Sequence, residues 1–359
     1  MLRLAARCAS IVLLAGGLAC AQDVQEELTP AARETIKKGV EWILRAQNAD
    51  GSWGLDAKSA PDITCTALCG LVLLAAGETE REGSDARAVR ALRKAAEYIL
   101  KRARKAPNDI SFGETTLIQG KLGATVHNGF AVVFLTQLYG MRPGDTAETN
   151  LEMIPSIQKL TDFIAKSQEA DGSWHKQTFG SLKATCMSWL ALRSAASAGL
   201  SIKHAAVQKT VKFIKDQHNP STKLYDGGAQ AQYGGGYQSL YSTASCIRVL
   251  VGMGAGGEER TLDAMDAFIE QCKNGQWKQI FLTVEGEDYL AASMMSQALI
   301  GEDGPRWRKW FPFIRDQLMR RQNTDGSWTT TACISGKTFA TANAVLTLQT
   351  PYRLLPLQQ

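Results

Sequence analysis

A short turn sequence recurs along the chain and constrains the architecture more than any other feature. It reads Gln-Asn-Ala-Asp-Gly-Ser-Trp at 47–53, and close copies occupy 168–174 and 322–328. Looser copies begin at Gln217 and Gln271. The starting glutamines are 121, 49, 54 and 51 residues apart, so the first interval holds two periods and one copy in it has decayed. Self-similarity at a fixed period indicates a repeat protein, here of six units.

Each period holds two helical stretches of different character. The first stretch begins at Pro30 behind Thr29 as N-cap and is amphipathic. The second, from Asp62 to about Ala76, has no charge after its first residue, which is typical of a buried helix. The same alternation predicts outer helices over 85–106, 150–168, 201–218, 258–273 and 305–322, and inner helices over 128–139, 183–198, 239–253, 288–300 and 338–349. Pro312 is expected to kink or delay the last outer helix.

These alternating helices predict an all-α fold, an (α/α)6 toroid of six helix pairs in two concentric rings. An open solenoid would expose the apolar inner helices at its ends, so closure is favoured. In each repeated turn the glutamine can bond free carbonyls, Asp-Gly reverses the chain, and the tryptophan packs on the next helix. We interpret the glutamines and tryptophans of these turns as structural residues: Gln47, Trp53, Gln168, Trp174, Gln271, Trp277, Gln322 and Trp328. The alternative is that the tryptophans form a carbohydrate- or cation-binding surface.

The turn carries a family resemblance. Gln followed by Asp-Gly-Ser-Trp resembles the QW repeat of terpene cyclases, and the helix alternation resembles their α/α toroid, which protein prenyltransferase β subunits share. From about Thr29 to Leu357 the chain is more similar to exported prenyltransferase/squalene-oxidase-repeat proteins of planctomycete-type bacteria. The segments that carry this similarity are 75–77, 127–131, 307–313 and 348–356. The resemblance implies the fold and no particular reaction.

The N-terminus predicts export. Residues 1–21 read as a signal peptide, with two arginines, a short apolar run and an Ala-Cys-Ala cleavage site. A spacer, 22–29, then precedes the toroid domain at 30–359. Lipoprotein processing at Cys20 is the less favoured alternative, because Gly17 stands where such sites usually carry leucine. We expect a periplasmic, envelope or extracellular protein without a transmembrane span.

Charge and cysteine usage restrict the partners and cofactors. The formal net charge of +5 falls to +3 when the two signal-peptide arginines leave, which does not suggest a nucleic-acid partner. The mature chain keeps six cysteines, for which 15 disulfide pairings remain open: Cys65, Cys69, Cys186, Cys246, Cys272 and Cys333. None lies at metal-ligand spacing from a histidine, so the sequence predicts no metal and no cofactor.

The motifs that would carry the chemistry of the related folds are absent. The chain has no Asp-x-Asp-Asp, with which a class II terpene cyclase protonates an alkene, and its nearest relic is Asp62. It also lacks the Asp-x-Cys of prenyltransferase zinc sites and the Gly-Cys-Gly-Glu-Gln of thioester domains. We expect Asp62 to cap its helix. Of four histidines, only His127 is placed to reach the interior of the ring.

The starts of the inner helices remain as the candidate site. Acids near them could supply a glycosidase-like pair: Asp62, Glu114, Asp226, Glu285, Glu287 and Asp288. We predict a cavity mouth that includes Asp62, His127, Tyr237 and Asp288. The leading hypothesis is a protein that binds a hydrophobic or glycan small molecule, or another envelope protein. The alternative is an enzyme that acts on isoprenoid or carbohydrate substrates with these carboxylates as acid and base. A pure scaffold is a third possibility.

Overall fold

The computed structural model describes residues 27–79, 83–111, 116–141, 147–174, 181–202, 204–226, 237–274, 285–301 and 304–355. The predicted signal peptide lies outside these residues. In chain order the elements are α1 Pro30–Ala46, β1 Trp53–Gly54, β2 Pro61–Asp62, α2 Ile63–Ala75, α3 Ala86–Lys105, α4 Leu117–Leu122, α5 Val126–Met141, α6 Ala147–Lys166, α7 Ser181–Ser197, α8 His204–Lys215, α9 Tyr237–Gly252, α10 Glu259–Lys273, α11 Gly286–Leu299, α12 Pro305–Arg321 and α13 Thr338–Gln349. A 3-10 turn, Thr350–Tyr352, follows.

The inner helices form a closed ring. Helix α2 packs against α5, α5 against α7, α7 against α9, α9 against α11, α11 against α13, and α13 returns to α2. The outer helices α1, α3, α6, α8, α10 and α12 pack around this ring, and α12 contacts α1. The predicted all-α toroid of six helix pairs is therefore confirmed.

The two classes of helix differ in burial as the sequence predicts. All thirteen residues of α2 are buried, whereas α3 buries one face and exposes a basic one. A helix that is apolar all round is stable only when neighbours cover every face, and the double ring provides those neighbours.

Three details differ from the sequence prediction. The short helix α4, which begins at a Thr116 capping box, was not predicted. Helices α5, α7, α9 and α11 each begin two residues before their predicted starts, at Val126, Ser181, Tyr237 and Gly286. Helix α12 is not delayed by Pro312, because Pro305 occupies its first turn, where the missing N–H has no partner to lose. Among the described residues, none of the helices combines the length and the hydropathy that crossing a bilayer requires.

Candidate functional site

The rim turns, which we define as 47–53, 168–174 and 322–328, each tie one outer helix to the next. The amide of Gln47 donates to the Gly51 carbonyl at 3.0 Å and to the Ala91 carbonyl on α3 at 2.8 Å. The amide of Gln322 donates to the Thr35 carbonyl on α1 at 2.8 Å, which joins the last unit to the first. Gln168 likewise reaches the Thr210 hydroxyl on α8. Gln217 instead donates within its own helix.

The rim tryptophans are anchors for the same turns. The indole N–H groups of Trp53, Trp174 and Trp328 each donate to a carbonyl of the preceding outer helix, at 2.7–2.9 Å. All three side chains are 0% exposed, so they offer no face to a ligand. Gln271 lies near the end of α10, and Trp277 lies outside the described residues.

A threonine near the start of the inner helix completes these turns, and sequence reasoning missed it. The backbone N–H of Trp53 donates to the Thr66 hydroxyl at 3.0 Å, and the same bond joins Trp174 to Thr185 and Trp328 to Thr341. Tyr225 in the looser fourth unit bonds Thr243 in the same way. The signal was present in the sequence as a threonine 11 to 18 residues after each of these aromatic residues.

The mouth of the toroid, which we define as the end where the inner helices begin, collects buried polar side chains. Hydrogen bonds run across it from helix to helix, as between the hydroxyls of Thr125 and Ser188 at 3.0 Å. One part of the mouth centres on Asp62 and His127, and the other on α7, α9 and α11. Buried ionisable groups in such a position need a physical explanation, because desolvating a charge is costly.

Asp62 and His127, two of the predicted mouth residues, lie together. One oxygen of Asp62 accepts the Cys65 backbone N–H at 2.9 Å and so caps α2, and Oδ2 lies 3.8 Å from His127 Nε2. The imidazole is 1% exposed and hydrogen-bonds to the hydroxyls of Thr64 at 2.8 Å and Thr116 at 3.1 Å. This pair is therefore held in place from both sides and is closed to solvent.

A second group, which we call the acidic cluster, contains Lys183, Tyr241, Glu285, Glu287 and Asp288. Lys183 Nζ donates to Glu287 Oε1 and lies 5.9 Å from the centre of the Tyr241 ring. The Tyr241 hydroxyl is 2.8 Å from Glu285 Oε2 and 2.7 Å from Asp288 Oδ1. Lys183, Glu287 and Asp288 are at most 1% exposed.

The two carboxyl contacts of Tyr241 have a chemical consequence. The phenol O–H lies within donating distance of both carboxyl groups, so it can be shared between them. Burial, reinforced by Asp288 and Glu285, raises the pKa of Tyr241 far above its ordinary value, so the phenol keeps its proton. The arrangement holds Glu285 and Asp288 side by side on one donor.

Among the residues that the structure describes, Glu285, Glu287 and Cys333 are the ones that could hold a metal ion. Their ligand atoms lie within 4.8 Å of one another, although the three come from two separate stretches of the chain. Burial, followed by the charges of Glu287 and Glu285, raises the pKa of the Cys333 thiol to about 12. Carboxylate and thiolate donors together suit Zn²⁺, but Lys183 already provides Glu287 with a positive partner.

The other candidate acids do not join the acidic cluster in the described residues. Asp226 accepts a hydrogen bond from the Asn219 amide at 2.5 Å in the turn after α8. Glu114 lies outside the described residues, and Tyr237 begins α9 with a side chain that is also outside them. Sequence reasoning missed Lys183 and Tyr241. The signal for Lys183 was a charge near the start of an inner helix.

Among the side chains that the structure describes, the centre of the ring is nearly filled. Between the inner helices the structure leaves a cavity of 30 Å³, walled mainly by leucine, methionine and phenylalanine side chains from α2, α5, α7, α11 and α13. Leu355, after the last helix, is buried and lines it as well. This volume is about that of one water molecule in the liquid.

Comparison with known proteins supports the fold. No family model matches the chain, and no curated protein sequence matches it. Among solved structures, a novel alpha-amylase from Clostridium perfringens aligns over 89% of this chain and 97% of its own, with a TM-score of 0.56 and 15% identity. The apo type II terpene cyclase MstE from Scytonema aligns over 90% and 99%, with 16% identity and a TM-score of only 0.36. The first similarity shows a shared fold, and the second is too low to carry an argument.

Proposed function

We propose that the protein binds a glycan at the mouth of the toroid, at the edge of the acidic cluster where Glu285 is partly exposed. The observation that carries this proposal is the concentration of buried ionisable side chains at the starts of α7, α9 and α11, of which Glu285 and Asp288 also cap α11. Buried charges that are costly to the fold are a common mark of functional sites. The predicted mouth residue Asp288 is part of this cluster.

The volume of the ring centre argues against an isoprenoid ligand inside it. Small-molecule pockets usually measure about 300–1,000 Å³. The central cavity of 30 Å³ is roughly a tenth of the lower limit. An isoprenoid chain would have to displace side chains from several inner helices at once, and close-packed cores resist such changes.

The chemistry of the acidic cluster suits a polyhydroxylated ligand. Sugar hydroxyl groups donate and accept hydrogen bonds, and Glu285, the partly exposed member of the cluster, offers a carboxylate acceptor that the buried Tyr241 holds in place. The fold is shared with an alpha-amylase. That similarity is an analogy of fold, which is weak support for function because one fold carries unrelated chemistries.

Hydrolysis of the glycan is the second candidate function. The contacts of Tyr241 with Glu285 and Asp288 favour it, because they hold two carboxyl groups side by side on one phenol. Glycosidases need one carboxyl group as general acid and a second as base or nucleophile.

The predicted signal peptide and the resemblance to exported repeat proteins support a site of action outside the cytoplasm. We propose that the protein is exported to the periplasm or cell envelope and belongs with the prenyltransferase/squalene-oxidase-repeat proteins. Glycans are abundant in that compartment. An envelope protein as partner is the competing outcome.

Isothermal titration calorimetry with a panel of α- and β-linked oligosaccharides tests the binding proposal. Glu285→Gln should weaken binding at least tenfold, because it changes the partly exposed acceptor of the cluster, and Asp288→Asn should weaken binding by altering the contact that positions Tyr241. Asp216→Asn, at an exposed acid after α8, is the matched control and should bind normally. Reducing-sugar release by the same proteins tests hydrolysis. The proposal fails if no glycan binds, or if the control loses as much affinity as the cluster variants.

A further inference from the structure

Two buried cysteines face each other across neighbouring inner helices. Cys186 on α7 and Cys246 on α9 place their sulfur atoms 3.8 Å apart. Both residues are 0% exposed, and α7 packs directly against α9. The two residues are 60 positions apart in the chain, so a bond between them would join consecutive units of the ring.

We infer that Cys186 and Cys246 form a disulfide when the protein folds in an oxidising compartment. A disulfide bond is about 2.0 Å long, so the sulfur atoms must approach by roughly 1.8 Å. Small rotations of the two side chains can supply this movement, because the helices are already in contact. The inference is independent of the proposed glycan site.

The other four cysteines lack a comparable arrangement. Cys65 and Cys69 lie one turn apart on α2, where a bond would link no separate elements. Cys272 is buried on the outer helix α10, and Cys333 lies beside Glu287 in the segment before α13. The structure therefore singles out one cysteine pair and leaves the pairing of the other four cysteines open.

The reaction requires an external oxidant. The two thiols lose two protons and two electrons, and the acceptor is the disulfide form of a thiol–disulfide oxidoreductase or of a small thiol such as glutathione. The thiolate of one cysteine attacks the oxidant, and the second cysteine then resolves the mixed disulfide and releases the reduced acceptor. Burial raises the pKa of the Cys246 thiol, which makes the folded pair slow to react. The bond should therefore form before the ring closes.

The test uses the full mature chain, secreted into the periplasm of an expression host and purified without reductant. The protein is unfolded in guanidinium chloride, alkylated with iodoacetamide and weighed. Four alkylated thiols are expected, six after prior reduction, and a peptide map should show Cys186 joined to Cys246. Six alkylated thiols without reduction, or a bond between a different pair, would overturn the inference.

Thermal unfolding gives a second readout. Closing a loop of this length should raise the Tm by ~5 °C, and a reductant should remove that gain. Cys186→Ala and Cys246→Ala should each abolish the effect of the reductant, whereas the control Cys272→Ala should keep it. An equal response to reductant in all four proteins would contradict the bond.

Discussion

The rim turns and the mouth lie on the same helices, but the rim turns repeat one set of contacts and the mouth does not. At the rim, Trp53, Trp174 and Trp328 make the same hydrogen bonds in three different units. At the mouth the inner helices begin with different side chains, among them the lysine of α7 and the acids of α11. A closed ring requires each outer helix to be tied to the next, and the repeated turn makes this connection in the same way each time. Asp62, Glu285 and Asp288 cap their helices, but the buried pair of Lys183 and Glu287 has no such role, which is why we connect the acidic cluster with function.

Removing a rim tryptophan should have the largest effect. Trp53→Ala, Trp174→Ala and Trp328→Ala should each lower the free energy of unfolding by about 3–5 kcal/mol, because each empties a fully buried site and leaves a carbonyl of the outer helix without its donor. Urea unfolding followed by circular dichroism measures the loss. If one of the three variants is as stable as wild type, the rim turns do not play the same structural role in each unit.

Breaking the buried ion pair at the mouth should come next. Lys183→Met leaves Glu287 buried without its cation and should cost about 3–4 kcal/mol. The double variant Lys183→Met/Glu287→Leu removes both charges and should recover most of that loss. A double-mutant cycle from urea unfolding checks both values. A double variant that is less stable than Lys183→Met would show that the fold needs the cluster, contrary to the distinction drawn between mouth and rim.

A glycine in a rim turn should have a smaller effect, and the chain offers a matched control. Gly172 has φ +93°, and an added Cβ would lie 2.5 Å from the Lys209 carbonyl of α8. Gly199 has φ +85° but nothing within 4 Å of such an atom. Gly172→Ala should cost about 2–3 kcal/mol from strain and contact together, and Gly199→Ala about 1 kcal/mol from strain alone. Equal costs would mean that the close approach to the next helix is unimportant.

The smallest expected effect is a pH dependence at the rim. Burial acts to raise the pKa of Asp325, but hydrogen bonds from Ser327 and Lys337 outweigh it and lower the pKa to about 2. Because the folded pKa lies below the unfolded value of about 3.9, this stabilisation is complete above pH 4 and is lost between pH 4 and 2. Asp325→Asn should unfold with a shallower acid dependence in that range. If the variant and the wild type lose stability equally between pH 4 and 2, Asp325 does not make this contribution.

The same contrast explains what could be predicted from sequence. The rim turns could be predicted from the sequence, because the turn recurs often enough for its spacing to be measured. The acidic cluster has no such signal: Lys183 and Glu287 are 104 residues apart and occur once each. Tyr237 was predicted at the mouth from its position at a helix start, while Tyr241, one turn later, makes the described contacts. The role of a single polar residue in an apolar helix can be assigned only when the fold shows which residues lie beside it.

Hydrogen–deuterium exchange with and without a bound oligosaccharide tests the division between rim and mouth most directly. Binding at the mouth should slow exchange in the first turns of α7, α9 and α11. Exchange in the rim turns should not change, because their hydrogen bonds are complete without a ligand. Protection confined to the rim turns, with none at the inner-helix starts, would contradict it.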